Sequence, residues 1–303
     1  MKSSSGTIRP WVTRSSDGYR AQSTRRMSRK VLAIGAVIVC ATHLAHAQRP
    51  DPNAALANEL VVAQLPGRSV SALVTHRPGA TGFTHAVAIF PGSPGVMNLR
   101  VEGETIQNDL RGNFLVRARR FFLEDGFLTV VVDAPTDQQP LFHQSFRETP
   151  RYGEDVKAVI EAVQRKYGVL DWTAAGHSEG SVSAAHVARM LPTEVKRVVL
   201  TASVVTSSTR GNGVQLADVR QIRVPVLWVH HRNDPCEYTP YRRVRGYAEE
   251  SRTPLVTVTG VAHPRGKPCM AFTEHGFVGM EAKTIKAIVS WIRTGSVPGD
   301  VSE

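Results

Sequence analysis

Residues 169–190 read Val-Leu-Asp-Trp-Thr-Ala-Ala-Gly176-His177-Ser178-Glu179-Gly180-Ser-Val-Ser-Ala-Ala-His-Val-Ala-Arg-Met. An apolar run, Val169 to Ala175, meets a small-residue helical run, Ser181 to Met190, at a G-x-S-x-G pentapeptide. This is the sequence form of a nucleophile elbow, a strand-to-helix turn so tight that small residues must stand two positions either side of the serine. Three fixed positions along such a chain give roughly 0.1 chance matches, so the flanks carry the argument. They supply the strand and the helix that the turn requires, against an ordinary Gly-rich loop.

Outward from the elbow, strands and helices alternate. Two strand-like runs, Glu59 to Leu65 and Ser69 to His76, flank Pro66-Gly67-Arg68 as a hairpin. A buried strand over His85 to Phe90, a helix over Asn108 to Glu124, a strand over Phe127 to Val132 and a helix over Gly153 to Tyr167 follow. After the elbow come strands at Val195 to Thr201, Val224 to His230 and Pro254 to Thr259. A helix over Pro240 to Glu250 lies between the last two, and an amphipathic helix over Met280 to Ile292 closes the chain. The alternation predicts an α/β class with a mainly parallel central sheet and helices on both faces. About twenty residues separate Thr201 from Val224, too few for a separate lid domain.

The N-terminal 47 residues read as a different object. Arg25, Arg26, Arg29 and Lys30 precede an uncharged apolar run from Val31 to Ala41, and Ala45-His46-Ala47 offers the small residues a signal peptidase reads. A secretory signal with cleavage before Gln48 is expected, and either Met27 is the true start or the signal is long. Thr24-Arg25-Arg26 lacks the hydrophobic residues expected after a twin-arginine pair. The apolar run is too short for an ordinary transmembrane helix, so the mature chain is expected to be soluble and exported, periplasmic or secreted. A polar lead-in over 48–58 then opens a catalytic domain over 59–303.

The formal charge of +11 invites a nucleic-acid reading that removal of the signal dissolves. Residues 1–47 hold eight Lys and Arg against one Asp, which leaves 29 basic and 25 acidic residues on the mature chain. No basic tract survives; Arg117, Arg119 and Arg120 on one predicted helix, and Arg242, Arg243 and Arg245 on another, read as solvated faces. Of three cysteines, Cys40 leaves with the signal. Cys236 and Cys269 remain, and an oxidising compartment predicts one disulfide closing a loop of about 33 residues, worth about 3 to 4 kcal/mol in the chain-entropy model.

The chain resembles the alpha/beta-hydrolase family over nearly all of residues 59–294. The matching pieces are the opening hairpin, Pro91-Gly92-Ser93-Pro94-Gly95 after the first central strand, the Gly-His-Ser-Glu-Gly elbow, Asp234 after a late strand and His275-Gly276-Phe277 before the last helix. The order nucleophile, acid, histidine is the family's. Pro91 departs from the family's pattern, where many members carry a histidine before the oxyanion glycine.

A serine hydroxyl needs a base to remove its proton and a third group to orient that base. The segment after Thr201 carries no carboxylate, whereas Val-His-His-Arg-Asn-Asp234 ends the next strand with one, so Asp234 is the expected acid and Asp133 a structural or substrate-contacting residue. Two histidines compete as base. His263 stands three residues after Gly260, a common family spacing, and His275 resembles the form seen in lidless, dienelactone-hydrolase-like members, which favours it. His230 and His231 read as packing or partners at a strand end, with no metal or organic cofactor expected. The Glu179 amide is one oxyanion donor, and alignment with the family's His-Gly-Gly-Pro-Gly form points to the Ser93 amide as the other.

These residues imply an exported serine hydrolase cleaving a carboxylic ester or related small-molecule acyl substrate through an acyl-enzyme. A peptidase, a lyase or haloperoxidase-like activity on the same triad, and a catalytically silent binding protein are the alternatives. Loop Pro135 to Pro150, with Phe142, His143 and Phe146, could cover the pocket.

Overall fold

The computed structural model describes residues 52–297 and 299–302. The expected signal segment, 1–47, lies outside them. Ten strands and six α-helices follow in chain order: β1 Ala57–Leu65, β2 Arg68–His76, β3 His85–Phe90, β4 Arg100–Glu102, β5 Thr105–Gln107, α1 Phe114–Ala118, β6 Phe127–Val132, α2 Pro150–Tyr167, β7 Asp171–His177, α3 Gly180–Met190, β8 Val195–Thr201, α4 Leu216–Val219, β9 Val226–His231, α5 Tyr241–Ser251, β10 Leu255–Val258 and α6 Glu281–Thr294. Eight strands make one sheet in the order β1-β2-β6-β3-β7-β8-β9-β10. The β1–β2 hairpin and the β2–β6 pair are antiparallel, and every pair from β6 to β10 is parallel.

Because side chains alternate across a strand, near-continuous apolar strands feed two cores at once. Ala86, Ala88 and Phe90 of β3 face the same core as Val130, Trp172 and Ala174, which α2 covers with Val156, Val159, Ile160 and Val163 and α3 covers with Ala184 and Ala188. Val87 and Ile89 face the other, with Val131, Ala175, Val199 and Leu227, under Phe114 of α1 and Ile285, Ile288 and Ile292 of α6. Thr149 caps α2, its side chain accepting from the Tyr152 amide, with Pro150 at the first helical position.

Four expectations are corrected. The helix read over Asn108 to Glu124 is only the five residues of α1 followed by a 3-10 turn, Arg119–Phe122, while the β4–β5 hairpin occupies the stretch just before it. Its arginines are not a solvated face. Arg119 is buried, donating to Thr75 Oγ1 at 3.1 Å and the Val116 carbonyl at 2.8 Å, and Arg117 is bound to Glu281 at 2.8 Å and to the Gly276 carbonyl at 2.6 Å. A helix of only five residues lets long polar side chains turn inward to satisfy carbonyls, which periodicity does not encode. Arg242, Arg243 and Arg245 are exposed, as read.

The third concerns the loop after β6. Phe142 is buried against Arg147, Phe146 and Tyr152 instead of facing the pocket, and His143 is exposed. The residue of that loop lining the site is Gln144. Val169, read as the first residue of a strand, is exposed, and β7 begins at Asp171.

Candidate active site

The parallel strands all deliver their C-terminal ends to one edge of the sheet, the edge where open α/β sheets hold ligands. Phe90 of β3 pairs with Gly176 of β7, and Gly176 with Leu200 of β8, so the Pro91–Gly95 loop and the elbow emerge side by side. The elbow is as tight as its sequence requires. A Cβ on Gly176 would stand 2.1 Å from the Gly180 carbonyl oxygen, and one on Gly180 would stand 1.9 Å from that of Phe90. Ser178 itself has φ +56, a left-handed conformation costly for a residue with a side chain. Its amide donates to the Thr201 carbonyl at 3.0 Å, which ties the turn to β8.

Gly92 sits against the serine: a Cβ there would come within 2.9 Å of Ser178 Cβ. Beyond it, the Ser93 amide and the Glu179 amide have no protein acceptor among the described residues. Glu179 directly precedes α3, whose N-terminal end adds positive potential at the same place. Ser93, Ser178, Glu179 and His275 share the wall of a cavity of about 820 Å³, a size suited to a small-molecule ligand.

Asp234, after β9, and His275, in the 3-10 turn Glu274–Gly276 before α6, meet through His275 Nδ1 and Asp234 Oδ2 at 3.0 Å, both side chains buried. Two more donors reach the carboxylate: the Cys236 amide to Oδ1 at 2.9 Å and Thr239 Oγ1 to Oδ2 at 2.8 Å. Burial pushes the Asp234 carboxyl up, but the hydrogen bond to and charge of His275 outweigh it and hold the group below the usual carboxylate range. No hydrogen bond joins Ser178 Oγ to His275 among the described residues, and in free enzymes such contacts are often long and tighten only with substrate.

The turn carrying His275 is held from below. Thr273 Oγ1 accepts from the His275 amide at 3.2 Å, and Arg117 clasps the Gly276 carbonyl. Gly276 admits no Cβ, which would fall 1.8 Å from the Ala271 carbonyl oxygen. His263 stands apart, exposed and outside the cavity wall. Asp133 is structural: buried, it accepts from the Met97, Leu99 and Ala134 amides at 2.6, 3.1 and 2.7 Å. Burial pushes its carboxyl up against those three amides.

Cys236 and Cys269 form a disulfide with their Cα atoms 4.5 Å apart, and both line the cavity. The bridge joins the Asp234 loop to the loop that leads into His275. Sequence reasoning missed Thr239 and the partner of Glu179, Arg210, because neither belongs to a motif; only the convergence of loops from three strands brings them in. Among the described residues no three His, Cys, Asp or Glu side chains group as a metal site. His230 and His231 are buried in β9.

Burial lowers His230 to about 4 and His177 well below its ordinary value. The unfolded chain takes up a proton on each near pH 6.5, before the folded protein does. The stabilisation from His230 is therefore complete above pH 6.5 and is lost as pH falls toward 4, about 3 kcal/mol, and His177 acts in the same direction. Urea unfolding between pH 7 and 4.5 is expected to show that decline, with His230→Gln flattening it by about 1.4 kcal/mol per pH unit. An unchanged slope in the variant would mean that His230 is not buried as a neutral ring.

The sequence matches no protein-family model and no curated protein. Solved structures do match. Dienelactone hydrolase from Anabaena variabilis superposes with a TM-score of 0.53 at 13% identity, over 78% of this chain and 97% of that one. An alpha-beta serine hydrolase homologue from Coxiella burnetii gives 0.52 at 18%, and Est1E from Butyrivibrio proteoclasticus 0.51 at 15%, each over the same shares. At such identities the likeness speaks for the backbone arrangement, and with the strand order, the elbow and the absence of any inserted lid domain among the described residues it leads to one conclusion: this chain has the alpha/beta-hydrolase fold.

Proposed function

We propose that this chain is an exported serine hydrolase that cleaves a carboxylic ester, with Ser178 as nucleophile, His275 as base and Asp234 as its orienting acid. The observation that carries the reading is the buried His275–Asp234 hydrogen bond of 3.0 Å in the wall of the cavity that Ser178 enters from a left-handed elbow. In this reading Ser178 Oγ attacks the ester carbonyl carbon while its proton passes to His275 Nε2. The carbonyl π pair moves onto oxygen, toward the Ser93 and Glu179 amides. As the tetrahedral species collapses, the bond to the alcohol oxygen breaks and the imidazolium returns the proton to it. Water then repeats the sequence on the acyl-enzyme and frees the acid.

Asp234 stays ionised throughout, keeps Nδ1 protonated and steadies the imidazolium. The cavity, with no inserted lid domain among the described residues, fits small or surface-displayed esters. Export through residues 1–47 rests on the basic and apolar pattern of that segment, and the disulfide agrees with an oxidising destination.

A fluorophosphonate probe followed by peptide mass spectrometry tests the reading. Labelling is expected at Ser178 alone, lost in His275→Ala and kept in His263→Ala. A folded, oxidised protein that takes no label would turn the assignment toward a binding protein built on the same fold.

A further inference from the structure

The residue after the nucleophile brings a problem with it. Glu179 offers its amide to the developing oxyanion, yet its own carboxylate, nine-tenths buried, shares the cavity wall with Ser178. Both Glu179 oxygens are engaged by one guanidinium: Arg210 Nε donates to Oε1 and Nη2 to Oε2 at 3.0 Å. Arg210 comes from the loop between β8 and α4, where the Ser208–Gly211 bridge and a 3.1 Å bond from its own amide to Ser208 Oγ set its course. The hydrogen bond to Glu179 raises the Arg210 guanidinium further, so the cation is permanent.

Arg147 adds positive charge nearby, but it is fully buried, donates to Ser183 Oγ at 2.8 Å and lies over the Phe142 ring, without a bond to Glu179.

We infer that Arg210 is a positioning residue whose charge cancels that of Glu179 beside the oxyanion site and holds the Glu179 side chain away from it. The inference rests on the acyl-transfer reading above. In the transition state a full negative charge collects at the Ser93 and Glu179 amides, and a bare carboxylate one side-chain length away opposes it. At about 6 Å and an effective dielectric of about 20, that repulsion corresponds to a rate loss of about a hundredfold. A bidentate pair removes it, and the planar fork of arginine fixes the carboxylate orientation as well. The ground-state ester carries no such charge, so the effect falls on kcat and spares KM.

The signature is an asymmetry that a merely structural ion pair lacks. Steady-state hydrolysis of p-nitrophenyl acetate by the wild type, Arg210→Gln, Glu179→Gln and the double variant, with melting temperatures for all four, reads it out. Arg210→Gln is expected to lose about ten- to a hundredfold in kcat with KM within about threefold. Glu179→Gln is expected to lose much less, because the released guanidinium, with 34% of its side-chain surface already exposed, is solvated and has the sign that an oxyanion favours. The double variant is expected to regain most of the Arg210→Gln loss. Arg210→Lys, which keeps the charge, covers the case in which Arg210→Gln does not fold, and its kcat is expected to stay above a tenth of the wild-type value.

Equal losses in the two single variants without rescue would overturn the inference, as would a KM-only effect of Arg210→Gln, which would make the guanidinium a substrate contact. A wild type inert toward both the ester and the fluorophosphonate probe would instead remove the acyl-transfer reading, and this inference with it.

Discussion

Ser178→Ala is expected to lower kcat toward p-nitrophenyl esters by about a millionfold while leaving the melting temperature close to the wild-type value. The loss is this large because in the proposed mechanism the serine does covalent work that water in the same cavity does poorly. The residual rate comes from the oxyanion donors and binding alone. The fold should not notice the change, since the removed hydroxyl makes no bond that supports the elbow. Ala keeps the Cβ that already tolerates φ +56, and the Ser178 amide still reaches the Thr201 carbonyl.

Asp234→Asn is expected to cost about ten-thousandfold, because an amide in that place no longer fixes the protonated Nδ1 tautomer. It also leaves a buried site lined by the Cys236 and Thr239 donors without its charge. Burst and steady-state kinetics on activated esters check both variants. A Ser178→Ala protein retaining more than about a hundredth of wild-type turnover would relocate the nucleophile.

The second large effect concerns the bridge between the Asp234 and His275 loops. Cys236→Ser with Cys269→Ser is expected to lower stability by about 4 kcal/mol, the chain-entropy value for a loop spanning a separation of 33 residues. For a domain of this size that corresponds to roughly 8 to 15 °C in melting temperature.

Activity is expected to fall further than the folded fraction does. The Cys236 amide holds Asp234 Oδ1, and both half-cystines form part of the cavity wall, so freeing them loosens the orientation of His275 before the domain unfolds. Titrating the oxidised protein with a thiol reductant while following circular dichroism and turnover in parallel separates the two. Full turnover in a protein with two free thiols would show that the Asp234–His275 pair is held by its own hydrogen bonds alone.

Some of this architecture is written locally in the chain, and the reasons are short-range. Gly176 and Gly180 are forced by backbone atoms within four residues of them or on the neighbouring strand. The apolar runs at His85–Phe90, Phe127–Val132 and Val195–Thr201 are forced by burial on both faces, which composition alone reveals. The order of Ser178, Asp234 and His275 along the chain carries the resemblance, and the pairing of Cys236 with Cys269 follows from there being no other cysteine after Cys40.

Other features could only be settled in three dimensions. His263 and His275 occupy the same loop in sequence, and only the return of the chain past Gly276 brings the second to Asp234 and leaves the first in solvent. Arg117 reads as a surface charge because helical periodicity says nothing about a helix of five residues. Thr239 and Arg210 have no motif at all; their roles arise from where three loops meet.

The sequence by itself determined the strand-helix alternation and the elbow, and it singled out Ser178 and Asp234 as candidates, since each depends on residues near in the chain or on burial patterns with a fixed period. The tertiary structure alone decided which histidine meets Asp234, which cation pairs with Glu179 and which arginine anchors the His275 turn. Those contacts join residues up to 159 positions apart, and side-chain chemistry at that separation leaves no periodic trace in the chain.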